Sequence, residues 1–198
     1  MEAFSDGVFS IAATLLVLDL ALHPPGTPLE QVLHAWPAYL GYAISFITIG
    51  GAWLAHSALT DRLTRADSLL LRINLLLLFV VAFLPFPTKL IAGGLHDTNS
   101  ERVFVTLYGL TLLAIRLLGT ALDGYAKHEH LYSHDSADEE LQELQVERRT
   151  VVPVVGGYAI AILLGLALPV LAVALYFALS LLLVAPLGEV RRLRFKRS

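Results

Sequence analysis

Six apolar stretches of roughly 17 to 25 residues, the length at which a helix crosses about 30 Å of hydrocarbon, occupy most of this 198-residue chain. They run approximately from Phe4 to Leu22, Trp36 to Leu59, Asp67 to Ala92, Arg102 to Leu122, Val151 to Ala167 and Val170 to Leu187. Backbone amides in lipid must be paired within the protein, and continuous apolar runs of this length pair theirs as helices, so a chain patterned this way folds as a bundle of helices. With 56% hydrophobic and 16% charged side chains, it reads as an all-α integral membrane protein of six transmembrane helices. Pro169 interrupts the long final apolar run and predicts a tight helical hairpin.

The first stretch is read as a true span, not a cleaved leader, because Glu2 and no base precedes it. With the N-terminus inside, the inner segments hold Arg62, Arg65, Lys127, Arg148, Arg149 and the tail bases Arg191, Arg192, Arg194, Lys196 and Arg197. The outer segments hold Lys89 and Arg102, so the bias of positive charge places both termini in the cytoplasm. The whole of 1–198 is read as one transmembrane domain in a plasma or inner membrane. It has a cytoplasmic linker at about 124–150, where Ser136 and Glu139 form a capping box, and a basic tail at about 189–198.

Chemistry is narrowed by what the sequence lacks. Without cysteine there is no disulfide and no thiolate site. No Ser-His-Asp order, HExxH or glycine-rich phosphate loop occurs, so an enzyme is not expected, nor a nucleic-acid partner. His128, Glu129, His130 and His134 have metal-binding side chains, but in a mixed charged loop they read as solvated, and neither a metal nor another cofactor is expected. Val155-Gly156-Gly157-Tyr158 looks like a potassium filter only superficially. It lies inside the fifth stretch with no pore helix before it, and its glycines suit close helix packing.

The most informative polar residues open the first stretch, in Phe4-Ser5-Asp6. An aspartate at the mouth of a membrane helix requires a partner or a function. On a wheel centred on Ile11, Leu15 falls at about +40°, Leu18 at about −20° and Gly7 at about −40°, with Thr14 at the edge near about −60°. Ser5 and Asp6 point elsewhere, near about +120° and −140°. Such a stripe alone could be lipid contact or ordinary packing, while Gly7, Ala12, Ala13 and Thr14 permit close helix neighbours. At the depth of Ser5 and Asp6 lie Trp53, His56 and Asn74, which predicts a structural polar network joining the first three helices.

Phe-Ser-Asp, followed by Ile11 and Ala13-Thr14, resembles the opening helix of the endosomal and lysosomal potassium channel family and its prokaryotic relatives. The resemblance continues in Ile44-Ser45-Phe46, Trp53-Leu54-Ala55-His56, Asn74-Leu75-Leu76 and Leu84-Pro85-Phe86-Pro87. The arginine that the family carries four residues before the phenylalanine would fall ahead of Met1. The resemblance implies a channel without a carbonyl filter, in which single six-helix prokaryotic chains assemble as a homotetramer with first helices around a central pore. It places the hydrophobic constriction at Ile11, with Leu15 and Leu18 above it, and a selectivity layer at Thr14. The permeant ions would be potassium, modestly preferred, and other monovalent cations. Asp19 is a weaker candidate for a cation-attracting vestibule. The alternative is a proton-coupled cation transporter or proton leak using Asp6 and His56.

Overall fold

The computed structural model describes residues 1–20, 27–94, 98–132 and 152–184, and all regular structure among them is helical. Helix α1 spans Glu2–Leu15, and a 3-10 turn, Leu16–Asp19, continues it. Helix α2, Pro28–His34, is short and begins with a capping box in which Thr27 and Glu30 satisfy each other's backbone amides. Helix α3 is Trp36–Thr60, α4 Ser68–Phe83, α5 Pro85–Gly94 and α6 Thr98–His128. Helices α7, Val152–Gly165, and α8, Pro169–Val184, complete the described bundle.

Among the described residues, three helical segments are long and apolar enough to cross a membrane: Trp36–Thr60, Ser68–Ile91 and Ser100–His128. The second of these joins α4 to α5 through Leu84. Pro85 and Pro87 have no amide hydrogen, so the ladder is carried across by Leu84 N to Val81 O at 3.2 Å and Thr88 N to Leu84 O at 3.2 Å. Helices α7 and α8 are shorter apolar elements, and α1 is 14 residues long before its 3-10 turn.

Several boundaries differ from the sequence reading. The first helix does not run as one α-helix towards Leu22: it tightens to 3-10 geometry at Leu16 and ends at Leu20, beyond which residues 21–26 lie outside the described part. Leu18 therefore sits where the turn advances about 120° per residue and a 100° wheel no longer holds. Helix α6 continues to His128, into the stretch read as linker from Gly124. His130, in the left-handed region at φ 52, reverses the chain there. The Ser136–Glu139 box, His134 and the basic tail fall outside the described residues. The hairpin turn occupies 166–168, with Pro169 opening α8, where its missing amide hydrogen costs nothing.

Lipid tails are as apolar as leucine, so helices in a membrane associate through close packing and interhelical hydrogen bonds, each about 0.6 to 2 kcal/mol. Both devices are present. Tyr108, Tyr158 and Tyr176 are wholly buried where α6, α7 and α8 meet, with the Tyr108 and Tyr176 rings 5.9 Å apart edge to face. Gly109 lets Tyr176 in, since a Cβ there would come within 2.0 Å of the phenol oxygen. Gly157 lets α8 approach α7, since a Cβ would lie 2.7 Å from Leu179 Cδ2. Buried hydroxyls add bonds from α3: Ser45 to Tyr108 at 2.7 Å and to Thr88 at 2.8 Å, and Thr48 to Ser180 at 3.1 Å.

Candidate functional site

Helix α1 has two faces of different kind. Ser5, Phe9, Ala12 and Leu16 are 0–2% exposed, their spacing places them on one side of the helix, and α1 packs against α3 and α4 while the turn opened by Leu16 packs against α3 and α5. Small Ala12 lets the helix come close to its neighbours, and the Phe9 ring packs against His56 at 5.5 Å between centroids. On the opposite side Phe4, Ser10, Ile11, Thr14, Leu15 and Leu18 are exposed within the single chain, Ile11 at 60% and Leu18 at 69%. In the 3-10 turn Leu18 is exposed all the same, as is Val17. Asp19 begins no new helix, and its side chain lies outside the described residues.

The polar residues at the base of α1 are brought together as two hydrogen-bonded groups rather than one. Asn74 of α4 sits between Ser5 and His56: its Nδ2 donates to Ser5 Oγ at 3.2 Å, and its Oδ1 pairs with His56 Nε2 at 2.7 Å. An amide oxygen can only accept, so the imidazole carries its hydrogen on Nε2. Ser5 passes its own hydrogen to the Met1 carbonyl at 3.1 Å. All three side chains are buried. The second group is Asp6 and Trp53, whose indole Nε1 donates to Asp6 Oδ1 at 2.8 Å on the exposed side of the contact. Adjacent residues of α1 thus reach two helices, Ser5 to α4 and Asp6 to α3. Among the described residues no hydrogen bond links Asp6 to His56.

Thr14 and Ser10 lie on the open face with their hydroxyl hydrogens committed inward, Thr14 Oγ1 to Ile11 O at 2.9 Å and Ser10 Oγ to Gly7 O at 3.0 Å. A hydroxyl that donates back to its own helix presents oxygen lone pairs outward. That geometry suits a cation and gives nothing to an anion. Among the described residues no three His, Asp or Glu side chains gather as a metal site.

Sequence reasoning missed the buried Ser45, Thr88, Tyr108 group and the pairing of Asp67 with Tyr125. The signal for the first was a hydroxyl inside an apolar stretch, which in lipid must find a partner. For the second it was Asp67 itself, placed as an N-cap before a leucine run; it accepts from Leu70 N at 2.8 Å.

Comparison with known proteins bears on the same residues. A family model described as endosomal/lysosomal potassium channel TMEM175 matches residues 1–85, which contain all of α1, α3 and α4. A potassium channel of Streptomyces collinus is 41% identical over 125 residues, 62% of this chain and 61% of that protein. The match thus spans about three fifths of that relative's length. The endosomal/lysosomal proton channel TMEM175 of Gallus gallus is 36% identical over 51% of this chain and 22% of its own. Among solved structures, the crystal structure of a lysosomal potassium-selective channel TMEM175 homolog from Chamaesiphon minutus superposes with a TM-score of 0.77 at 31% identity. That superposition covers 93% of this chain and 95% of the other.

Proposed function

The chain belongs to the TMEM175 family, an ion-channel family and not a family of enzymes, and on that footing we propose that it is a cation channel passing potassium through a pore lined by α1. Four copies would place their α1 open faces around an axis, with six membrane crossings per copy and both termini in the cytoplasm. The observation that carries this reading is the open face of α1 itself. It is exposed in one chain, carries hydroxyls among its hydrocarbon side chains, and is held outward by the anchored face behind it.

The mechanism follows from that face. Four Ile11 side chains converging on an axis make an apolar neck, narrow enough to exclude water until the helices tilt or rotate apart, with Leu15 and Leu18 extending the apolar lining. A permeating ion gives up part of its hydration shell there. Thr14 oxygens, one turn away, offer replacement ligands that need no backbone carbonyl ring. Potassium sheds water more readily than sodium, so a modest preference for potassium results. Asp6 and His56 support the fold in this reading: among the described residues each is hydrogen-bonded to a separate neighbour, Asp6 to Trp53 and His56 to Asn74.

The reading is tested in two steps. The mass of the detergent-solubilised complex should be four times the 21.6 kDa of one chain. Liposomes loaded with potassium and containing the purified protein should then clamp the membrane potential at the potassium equilibrium value. A protein that instead exchanges protons for potassium and collapses a pH gradient would overturn the channel reading in favour of a coupled transporter.

A further inference from the structure

At the end of the bundle where α1 begins, the close of α6 grips the turn between α3 and α4. Leu131 O accepts from both Thr64 N and Thr64 Oγ1 at 2.9 Å, and Leu63 and Tyr132 form an isolated antiparallel bridge. The Arg62 guanidinium lies 4.8 Å from the centroid of the Tyr132 ring, a cation–π distance. The Tyr132 hydroxyl bonds to Asp123, which also pairs with Lys127 at 2.6 Å. The shortest interhelical bond of this grip runs from the Tyr125 hydroxyl of α6 to Asp67 Oδ2 at 2.5 Å. The other carboxylate oxygen of Asp67 caps α4 through Leu70 N.

That cap stands about two turns before Asn74, the residue that bonds Ser5 of α1. Between them Leu70 is wholly buried and Ile73 half-buried, so this stretch of α4 is anchored along one side and is not a free end. A shift or rotation of α4 at its cap therefore reaches Asn74, and through it the base of the helix that carries Ile11 on its open face less than two turns further on.

We infer that Tyr125 and Asp67 are a positioning pair for the pore helix: their bond fixes the start of α4, and α4 through Asn74 fixes the tilt of α1. The inference rests on the channel reading above. A phenol-to-carboxylate bond is charge-assisted and about twice as strong as a neutral one, which makes it a suitable fixed point for a lever. The residues at the neck are untouched by it, so the pair governs how far the neck opens and not which ion the neck prefers.

Tyr125→Phe removes one oxygen and nothing else. Reconstituted in potassium-loaded liposomes, it should raise basal flux per assembled complex about fivefold while leaving the potassium-to-sodium ratio as in the unaltered protein. Asp67→Ser reports on the same bond with the helix cap retained, because serine caps well but is too short to reach Tyr125. It should show a similar gain, and the double variant should show no more than either alone. The inference is overturned if both variants lower the melting temperature but conduct, per complex, within twofold of the unaltered protein. Ile11→Asn in the same series separates the two readings. If Ile11→Asn raises flux while Tyr125→Phe and Asp67→Ser do not, the positioning pair is wrong and the pore stands; if no protein in the series carries ions, the channel reading fails first.

Discussion

Helices α1 and α8 both leave one side uncovered in the single chain, yet the two open sides have different chemistry. The exposed positions of α8 with described side chains are Val170, Leu171, Ala174, Ala178, Leu181 and Leu182, and those of α7 are Val152, Pro153, Ala159, Ile160 and Leu163. Each of these side chains is pure hydrocarbon, as a helix against lipid requires. The open side of α1 interleaves Ser10 and Thr14 with Ile11, Leu15 and Leu18. Exposure alone therefore does not distinguish the two open sides. What sets α1 apart, and supports the proposed pore-lining role, is hydroxyl oxygens turned outward and an opposite face pinned by hydrogen bonds to two other helices.

The largest expected effect sets Ile11→Asn against Leu163→Asn on α7. The first should wet the neck and raise basal potassium flux by an order of magnitude or more, with ion preference blurred. The second places an amide in lipid and should lower yield and stability while leaving flux per assembled complex unchanged. Equal outcomes in planar bilayers would erase the difference between the two faces.

Next in size is Asn74→Ala, which strands the His56 Nε2 hydrogen and removes a donor from Ser5. Leaving buried polar groups unpaired costs about 1–3 kcal/mol, so the melting temperature in detergent should fall by several degrees. Trp53→Phe breaks only the Asp6 bond on the more exposed side and should cost less. A larger loss from Trp53→Phe would move the main anchor of α1 from α4 to α3.

Thr14→Ala should reduce the potassium-to-sodium permeability ratio by a few-fold, read from reversal potentials, with assembly unchanged. Ser180→Ala, a hydroxyl change on α8, should leave the ratio alone and remove only the buried bonds of that hydroxyl to Thr48 and to the Tyr176 carbonyl.

The smallest effect concerns pH. The Tyr125 hydroxyl, followed by the Leu70 amide, holds the Asp67 carboxyl below its ordinary range. A depressed value in the folded state means that the charged carboxylate contributes stability at neutral pH. That contribution persists down to the unfolded-state value near about pH 4 and is lost as pH falls below it through the folded value. Asp67→Asn should remove this acid-sensitive component. Melting curves between neutral pH and about pH 3 should then converge for the two proteins at the acid end, and parallel curves would assign the grip on α4 to the Thr64 and Leu131 bonds instead.

The parts of this arrangement differ in how plainly the sequence declares them. The extent of α3 is written in an apolar run of spanning length, and its structural bounds fall within a residue of those read from the sequence. The stripe of α1 follows from helical periodicity, which is local. Its tightening at Leu16 is not readable, because leucine and valine carry no preference for 3-10 over α geometry and the change is decided at the helix end. Matched depth brought Ser5, Asp6, Trp53, His56 and Asn74 to one level. Depth has no angular coordinate, so it could not divide them into one group bonded to α4 and another bonded to α3. Tyr125 escaped for a related reason: it lies 58 residues from Asp67, on a helix whose end was read as linker.

The sequence by itself determined that this chain is a bundle of helices in a membrane and where most of them lie. Hydrocarbon permits no unpaired backbone, so composition and length alone dictate helices. It also determined that the polar residues at the base of α1 must be satisfied, since unpaired polar groups in a dry bundle are too costly to persist. Only the tertiary structure decided the partners. The rotation of α4 about its axis points Asn74 at Ser5 and His56, and the reach of α6 brings Tyr125 to Asp67. Those are angles and distances between separate segments, set by how side chains interlock across helices, and no periodicity within one segment contains them.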